Sequence, residues 1–262
     1  MGKFSEMSKH DYLKSAHTFK IFAHRGLIYS NDQIVYDENT IPAFQAAADL
    51  GIEYLELDVQ CTADGQAVVF HDETIDRVSG GHGKVADYTL TELKAISLLH
   101  GGHISTLAEV FGKFLYVCKI NIDVKDKAAI PDIVAAVNSY SAKNRVLLTS
   151  FSEARRSEVL RAVPGVATSP SASLLLKIWF GYRFKIGFKK LVQTVNVLQI
   201  PVSYGPIRFD SPKFVESVKR HGVELVYWTI NDPAEAKRLQ QIGANGIVTD
   251  RSDLMVSALK LA

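Results

Sequence analysis

Residues 22–26 read FAHRG, 38–44 ENTIPAF, 56–59 ELDV and 68–72 VVFHD. Apolar runs here end in His, Arg, Glu or Asp. Burying a charged group without a partner is costly, so a strand that ends in charge opens onto a site instead of filling a core. Side chains alternate faces along a strand. Glu56 and Asp58 therefore share one face, with Leu57 and Val59 on the other, and His71 shares a face with Val69. Downstream, residues 115–125 (LYVCKINIDVK) put Asn121, Asp123 and Lys125 on one face and Ile120, Ile122 and Val124 on the other. Polar groups at the C-terminal ends of several strands are the mark of the active face of a (β/α)8 barrel. The expected fold class is α/β, a TIM barrel.

Working outward, the pattern predicts a first strand over 21–24 and a helix over 40–50, with Thr40 as its cap, Pro42 in its first turn and Gly51 at its end. A second strand is expected over 54–60. The Asp64-Gly65 turn leads into a third over 67–70, with no room for a crossover helix between them. Residues 73–102 are glycine-rich and polar, with a short helix near 91–96, and read as an insertion over the barrel mouth. Strand and helix patterns then alternate: strands over 114–124, 146–149, 195–200, 223–228 and 246–248, and helices over 128–140, 153–163, 211–221 and 233–242. Such alternation implies a parallel sheet. No linker divides the chain. It is read as one domain over 1–262, with the insertion at about 73–110.

The bulk properties narrow the function classes. A length of 262 residues suits one barrel, and a formal charge of +2 makes no general case for nucleic-acid binding. Cys61 and Cys118 are too few for a disulfide framework, and strand parity sets both against the outer helices as small core residues. The first 14 residues carry charges throughout and lack the apolar core of a secretory signal; no apolar run is long enough to span a bilayer. The expected location is cytoplasmic. Nothing in the sequence sets the oligomeric state.

An ordered set of motifs resembles the glycerophosphodiester phosphodiesterase family. It comprises His24-Arg25-Gly26, Glu38-Asn39-Thr40, Glu56-Leu57-Asp58-Val59, His71-Asp72, residues 83–93, residues 104–110, Asp123-Val124-Lys125, Ser150-Phe151-Ser152, Trp228-Thr229-Ile230-Asn231 and residues 246–250. The resemblance runs over roughly residues 20–255, and the family shares the missing crossover helix. It implies hydrolysis of glycerophosphodiesters to sn-glycerol 3-phosphate and an alcohol, with a small-molecule phosphodiester as the partner. It also implies metal ligands at Glu56, Asp58 and Asp123, although the family usually has Glu at the last position. Clustered carboxylates repel unless a cation or proton sits among them. Oxygen ligands favour one divalent cation, Mg²⁺ or Ca²⁺.

His24 and His71 are the expected acid–base pair, since an imidazole titrates near neutrality. Which is acid and which is base is open, as is direct water attack against a cyclic phosphate formed by a neighbouring glycerol hydroxyl. Arg25 and Lys125 are expected to clamp phosphate, or to pair with ligand carboxylates. Glu38 reads as a fourth acid near the metal or as a group that orients others. Asn39 is equally a helix cap or a partner of a catalytic group. Trp228 and Asn231 end a late strand, where Trp228 could wall the glycerol pocket or sit at the rim. Asp72 is expected to orient His71 or to cap the insertion loop. His82, His100 and His103 read as loop residues.

One segment stands apart. Residues 159–209 contain no Asp or Glu, yet Lys177, Arg183, Lys185, Lys189 and Lys190 alternate with Trp179, Phe180, Tyr182, Phe184 and Phe188. Two readings stand: aromatics covering the barrel as core, or a basic, aromatic lip near the site that makes weak peripheral membrane contact through 174–190 at the inner membrane surface. Two rivals to the main reading follow: a lysophospholipase D-like activity on single-chain lipids, and a non-catalytic phosphate-ester binding protein damaged at Asp123. Both histidines and the other acids are retained, which argues against damage.

Overall fold

The computed structural model describes residues 10–259. Eight strands organise it: β1 (Lys20–His24), β2 (Tyr54–Cys61), β3 (Ala67–Val69), β4 (Lys119–Val124), β5 (Val146–Thr149), β6 (Val197–Pro201), β7 (Glu224–Trp228) and β8 (Gly246–Thr249). Seven run parallel in the order β5-β4-β2-β1-β8-β7-β6. The two ends of that path meet through residues 167–169. Leu148 N–H donates to Ala167 O (3.0 Å) on one side, and Asn196 N–H donates to Thr168 O (3.0 Å) on the other. The result is the expected TIM barrel, its ring completed by a segment the sequence reading passed over. Residues 167–170 (ATSP) are small and polar and carry no strand signature; the segment pairs because both neighbouring edges need hydrogen-bond partners.

Three expectations are corrected. Residues 67–70 do not form the third barrel strand: β3 is antiparallel to β2, with Cys61 opposite Ala67 and Val59 opposite Val69. β4 is the third barrel strand, and the crossover helix is present. It is α3 (Leu107–Phe114), which begins where the insertion ends. A capping box between Thr106 and Glu109 starts it, and Leu107, Val110, Phe111 and Phe114 supply a buried stripe at helical spacing. That stripe claims Phe114, so the strand expected from 114 begins only at Lys119.

The remaining helices are α1 (Ile41–Asp49), α2 (Leu90–Ala95), α4 (Ile130–Ser139), α5 (Glu153–Ala162), α6 (Ala172–Phe184), α7 (Phe188–Val192), α8 (Pro212–Lys219), α9 (Pro233–Gln241) and α10 (Ser252–Ala258). Strand parity sorts the core. Leu55, Leu57, Ile120, Ile122 and Val124 point outward into the layer shared with the helices, and Cys61 and Cys118 lie in the same cluster as free thiols. Phe22, Tyr54, Leu147, Val197, Val226 and Val248 point inward and fill the lower barrel, with Tyr12 and Leu13 packed in the same cluster. The insertion carries its own small cluster, including Ile75, Val85, Leu93 and Leu98 against Val68 and Phe70. The lower barrel is therefore largely apolar around one buried ion pair, Lys20 to Glu224 (2.8 Å), and the inward positions one layer higher are left for chemistry.

Candidate active site

Every strand-end side chain named from the sequence reaches the barrel mouth. Asp58 stands opposite Asp123 in the β2–β4 register, and His24 stands opposite Glu56 across β1 and β2. The antiparallel β3 explains how His71 arrives. β2 overshoots the mouth, β3 turns back along it, and Phe70 N–H donates to Asp58 O (3.0 Å). Gln60 Nε2 then donates to the carbonyls of His71 (3.1 Å) and Asp72 (2.9 Å), holding the returning chain in place.

Each imidazole has a carboxylate behind it. His24 Nδ1 lies 2.6 Å from Asp250 Oδ1, and His71 Nδ1 lies 2.5 Å from Asp72 Oδ1. A carboxylate on Nδ1 fixes the tautomer and leaves Nε2 free for proton transfer. His24 Nε2 is 3.9 Å from Glu56 Oε2. Burial pulls the His24 pKa down, but the Asp250 hydrogen bond and the Glu56 charge outweigh it, and the net shift is upward. Burial pushes Asp250 up, and its bond to His24 more than reverses that. Asn231 serves this pair: its Nδ2 donates to Asp250 Oδ2 (2.7 Å), and its Oδ1 accepts from Asp250 N–H (2.9 Å) and the Thr249 hydroxyl (3.1 Å).

The carboxylates sit in unlike surroundings. Asp58 is gripped by Lys125 Nζ (3.0 Å), Arg25 Nε (3.1 Å) and Asn39 Nδ2 (3.1 Å). Burial works against its charge, but the Lys125 and Arg25 cations win and its pKa is lowered. Glu56 is pushed up to about 7, first by burial and then by the Asp58 charge. Burial also raises Asp123, although Lys125 Nζ stands 2.6 Å from its Oδ2. Its Oδ1 is buried without a hydrogen-bond partner.

Asn39 is not the helix cap. Thr40 holds that position, while Asn39 is buried, has φ +59°, and bonds Asp58 through both its amide nitrogen and its amide oxygen. Glu38 is held by Arg25 (2.9 Å), which also reaches Asp58, and by Arg77 (2.6 Å). Arg77 also binds Asp72 (2.6 Å), so one guanidinium links the insertion to both Glu38 and the carboxylate behind His71. Trp228 meets Phe151 edge-on at 5.7 Å, and Lys125 lies over the Phe151 ring.

Three of these residues had no role in the sequence reading: Asp250, Arg77 and Phe151. Asp250 was within reach. Gly246, Val248 and Asp250 share parity, and that strand ends in an acid as the others do. Arg77 lies in an irregular segment where no periodicity aims a side chain.

The residues HRG also explain their glycine. Arg25 has φ +58° and Gly26 φ +90°, and a Cβ on Gly26 would lie 2.7 Å from the Ala43 carbonyl carbon. Gly26→Ala is expected to cost about 1–3 kcal/mol of stability and to shift Arg25 away from Asp58. Urea unfolding alongside turnover checks both, and an unchanged midpoint with full activity would refute this reading of the turn.

The geometry agrees with the comparisons. The family model for glycerophosphoryl diester phosphodiesterases matches residues 24–254. The chain belongs to that family. A glycerophosphodiester phosphodiesterase of Caldanaerobacter subterraneus subsp. tengcongensis is 32% identical over 260 residues, covering 92% of this chain and 97% of the relative. The crystal structure of the Thermotoga maritima glycerophosphodiester phosphodiesterase superposes with TM-score 0.72 at 27% identity, over 93% of this chain and 99% of that one. A phosphodiesterase of Oleispira antarctica, solved with the product sn-glycerol-3-phosphate, superposes with TM-score 0.71 at 25% identity, over 92% and 96%. This glycerophosphoryl diester phosphodiesterase is thus a hydrolase on a TIM barrel.

Whether the site suits a divalent cation can be judged from its donors. Among the described residues no three His, Cys, Asp or Glu side chains converge as a ready-made metal site, and Lys125 bridges Asp58 and Asp123. The donor chemistry nevertheless fits. Glu56 and Asp123 are raised, Asp123 Oδ1 has no partner, and all the donors are hard oxygens.

Proposed function

We propose that this phosphodiesterase cleaves glycerophosphodiesters to sn-glycerol 3-phosphate and an alcohol, with His24 and His71 exchanging the protons. One observation carries the reading: two imidazoles, each fixed at Nδ1 by its own carboxylate, flank a cluster of buried acids at a barrel mouth. The family generally depends on a divalent cation. Glu56, Asp58 and Asp123 would hold Mg²⁺ or Ca²⁺ here, where it would neutralise phosphoryl oxygens and acidify the attacking oxygen. Asp123 is one methylene shorter than the family's usual Glu.

The chain's own residues supply the rest. His24, its pKa raised by Asp250 and Glu56 over the effect of burial, presents a protonated Nε2 to the leaving oxygen. His71, with Asp72 on Nδ1, presents Nε2 to accept the proton of the attacking oxygen, from water or from a neighbouring glycerol hydroxyl. Arg25 and Lys125 offer positive charge to the phosphate while holding Asp58 and Asp123 in position. Trp228 and Phe151 supply an aromatic wall for the apolar edge of glycerol. Asn39, Asn231 and Glu38 act through the groups they hold.

The test is release of glycerol 3-phosphate from glycerophosphocholine and glycerophosphoethanolamine, each with Mg²⁺, Ca²⁺ or EDTA, beside lysophosphatidylcholine. Cation-restored turnover of the two soluble diesters is expected. Preference for the lysolipid would move the reading to a lysophospholipase D, and no product from any of the three would refute it.

A further inference from the structure

The basic, aromatic part of the acid-free segment, residues 177–190, does not line the mouth. α6 leaves the residues 167–169 segment at the catalytic end of the barrel and runs back along it for 13 residues, about 20 Å. α7 then leads into the start of β6, at the opposite end. The Phe188 ring confirms the placement, meeting His221 at 5.4 Å just before β7 begins. The expected lip near the site is therefore a surface on the far side.

Its aromatics divide. Leu174, Leu175 and Ile178 are buried, and Trp179, Tyr182 and Phe188 pack against the core. Phe180, Phe184 and Ile186 do not: they are 49%, 61% and 74% exposed. Phe180 and Phe184 stack at 6.0 Å, with Arg183 over the Phe184 ring. Ile186 sits at the tip of the corner, which Lys185 and Gly187 turn in left-handed conformations. Around this apolar tip stand Arg183, Lys185, Lys189 and Lys190, all exposed, with exposed Lys177 two turns back along α6, and residues 159–209 contain no acid. A groove of about 790 Å³ beside the tip is lined by Lys185, Lys189, Lys190 and His221. The turn before β4 exposes Tyr116 (76%) and Val117 (67%) at the same end of the barrel.

We propose that the α6–α7 corner docks on an anionic lipid bilayer. Three exposed apolar side chains at a tip, ringed by cations, match an interface of acyl chains beneath anionic headgroups. No helix of the described residues is long and apolar enough to cross a membrane, so the contact is peripheral. The orientation carries a consequence. With this end on the bilayer, the mouth holding His24 and His71 faces away from it. Docking then places the enzyme near diesters released from the membrane, and does not feed it lipid from the bilayer. The proposal rests on the barrel's topology and surface, independently of the catalytic reading.

The experiment is co-sedimentation of the full chain with phosphatidylcholine vesicles and with mixed phosphatidylglycerol–phosphatidylcholine vesicles. Wild type is expected to bind the mixed vesicles at low salt, release in high salt, and bind neutral vesicles weakly. The triple variant Lys185→Glu, Lys189→Glu, Lys190→Glu should lower partitioning by roughly 10²-fold. The triple variant Phe180→Ser, Phe184→Ser, Ile186→Ser should release the protein at lower salt than wild type. Thermal melts of both variants should match wild type, which separates lost docking from lost folding. Failure of wild type to bind at low salt overturns the proposal, as does unchanged binding by the lysine variant. A wild type that sediments as a dimer while the apolar variant is monomeric also overturns it, assigning the face to a second copy of the chain.

Discussion

Replacing His24 or His71 with alanine is expected to lower kcat by about 10²–10⁴-fold, the usual cost of removing an acid–base group. The expectation follows from how each ring is held. Asp250 and Asp72 occupy the two Nδ1 positions, so each side chain has a single nitrogen for chemistry. Both rings are partly exposed, at 20% and 30% of the side chain, so substrate can reach them. If His24 is the acid, removing Asp250 should act through it. Asp250→Asn would lower the His24 pKa and move the alkaline limb of the pH–rate profile to lower pH, while His24→Ala would abolish that limb. Steady-state kinetics of the three variants on glycerophosphocholine would show this. A kcat unchanged by His24→Ala or by His71→Ala would make that residue structural.

Glu56→Gln and Asp58→Asn are expected to abolish turnover while the fold survives, and EDTA should do the same to wild type. The acids share a low-dielectric mouth, and their mutual repulsion is only partly relieved by Lys125 and Arg25. Glu56 shows the residue of that conflict, rising from 4.5 to about 7. Without a cation, folded protein keeps a proton on Glu56 that the unfolded chain loses above about pH 4.5. Stability should therefore fall as pH rises through that window, by on the order of 3 kcal/mol. Glu56→Gln should flatten the decline. Divalent-cation affinity should rise across the same window, since binding needs the deprotonated carboxylate. Urea unfolding at about pH 5 and about pH 7, with calorimetry of Mg²⁺ binding, tests both. Full activity in rigorously metal-free protein would remove the cation from the mechanism.

Much of the site was legible because strands alternate. Parity placed Glu56 with Asp58 and Asn121 with Asp123 on inward faces, and the register sets Asp58 opposite Asp123. The same parity placed Lys125 toward Asp123, where its ammonium lies. Where period two stops, legibility stops. Asn39 read equally as cap and as partner of a catalytic group. Only the left-handed turn at Asn39, with the chain looping from β1 into α1, turns its amide onto Asp58. Glu38 reads from the sequence as a fourth acid or as a group that orients others, because sequence shows its charge but not its neighbours; in the structure Arg25 and Arg77 are those neighbours.

The charge pattern of residues 159–209 was also plain from the sequence, and its location was not. Aromatic and basic residues at those spacings fit a lip over the mouth as well as a corner at the far end. The direction of α6 decides between them, and that direction depends on residues 167–169 acting as a barrel strand. Their small, polar side chains announce nothing of the kind; ring closure recruits them because two sheet edges would otherwise be left unpaired.

By itself, then, the sequence determined the barrel class, the inward acids and the strand-end histidines, because all of these follow from local periodicity and from the cost of burying charge. Tertiary structure alone decided the rest. The antiparallel return of β3 sets His71 at the mouth. Asp250 and Arg77 come from distant parts of the chain to complete the histidine pairs and the link to Glu38. The cationic corner lies at the end opposite the chemistry. The last two depend on contacts between residues far apart in the chain, whose geometry no local period encodes. The β3 return is a short hairpin, Val59 opposite Val69, whose antiparallel sense alternation alone does not state.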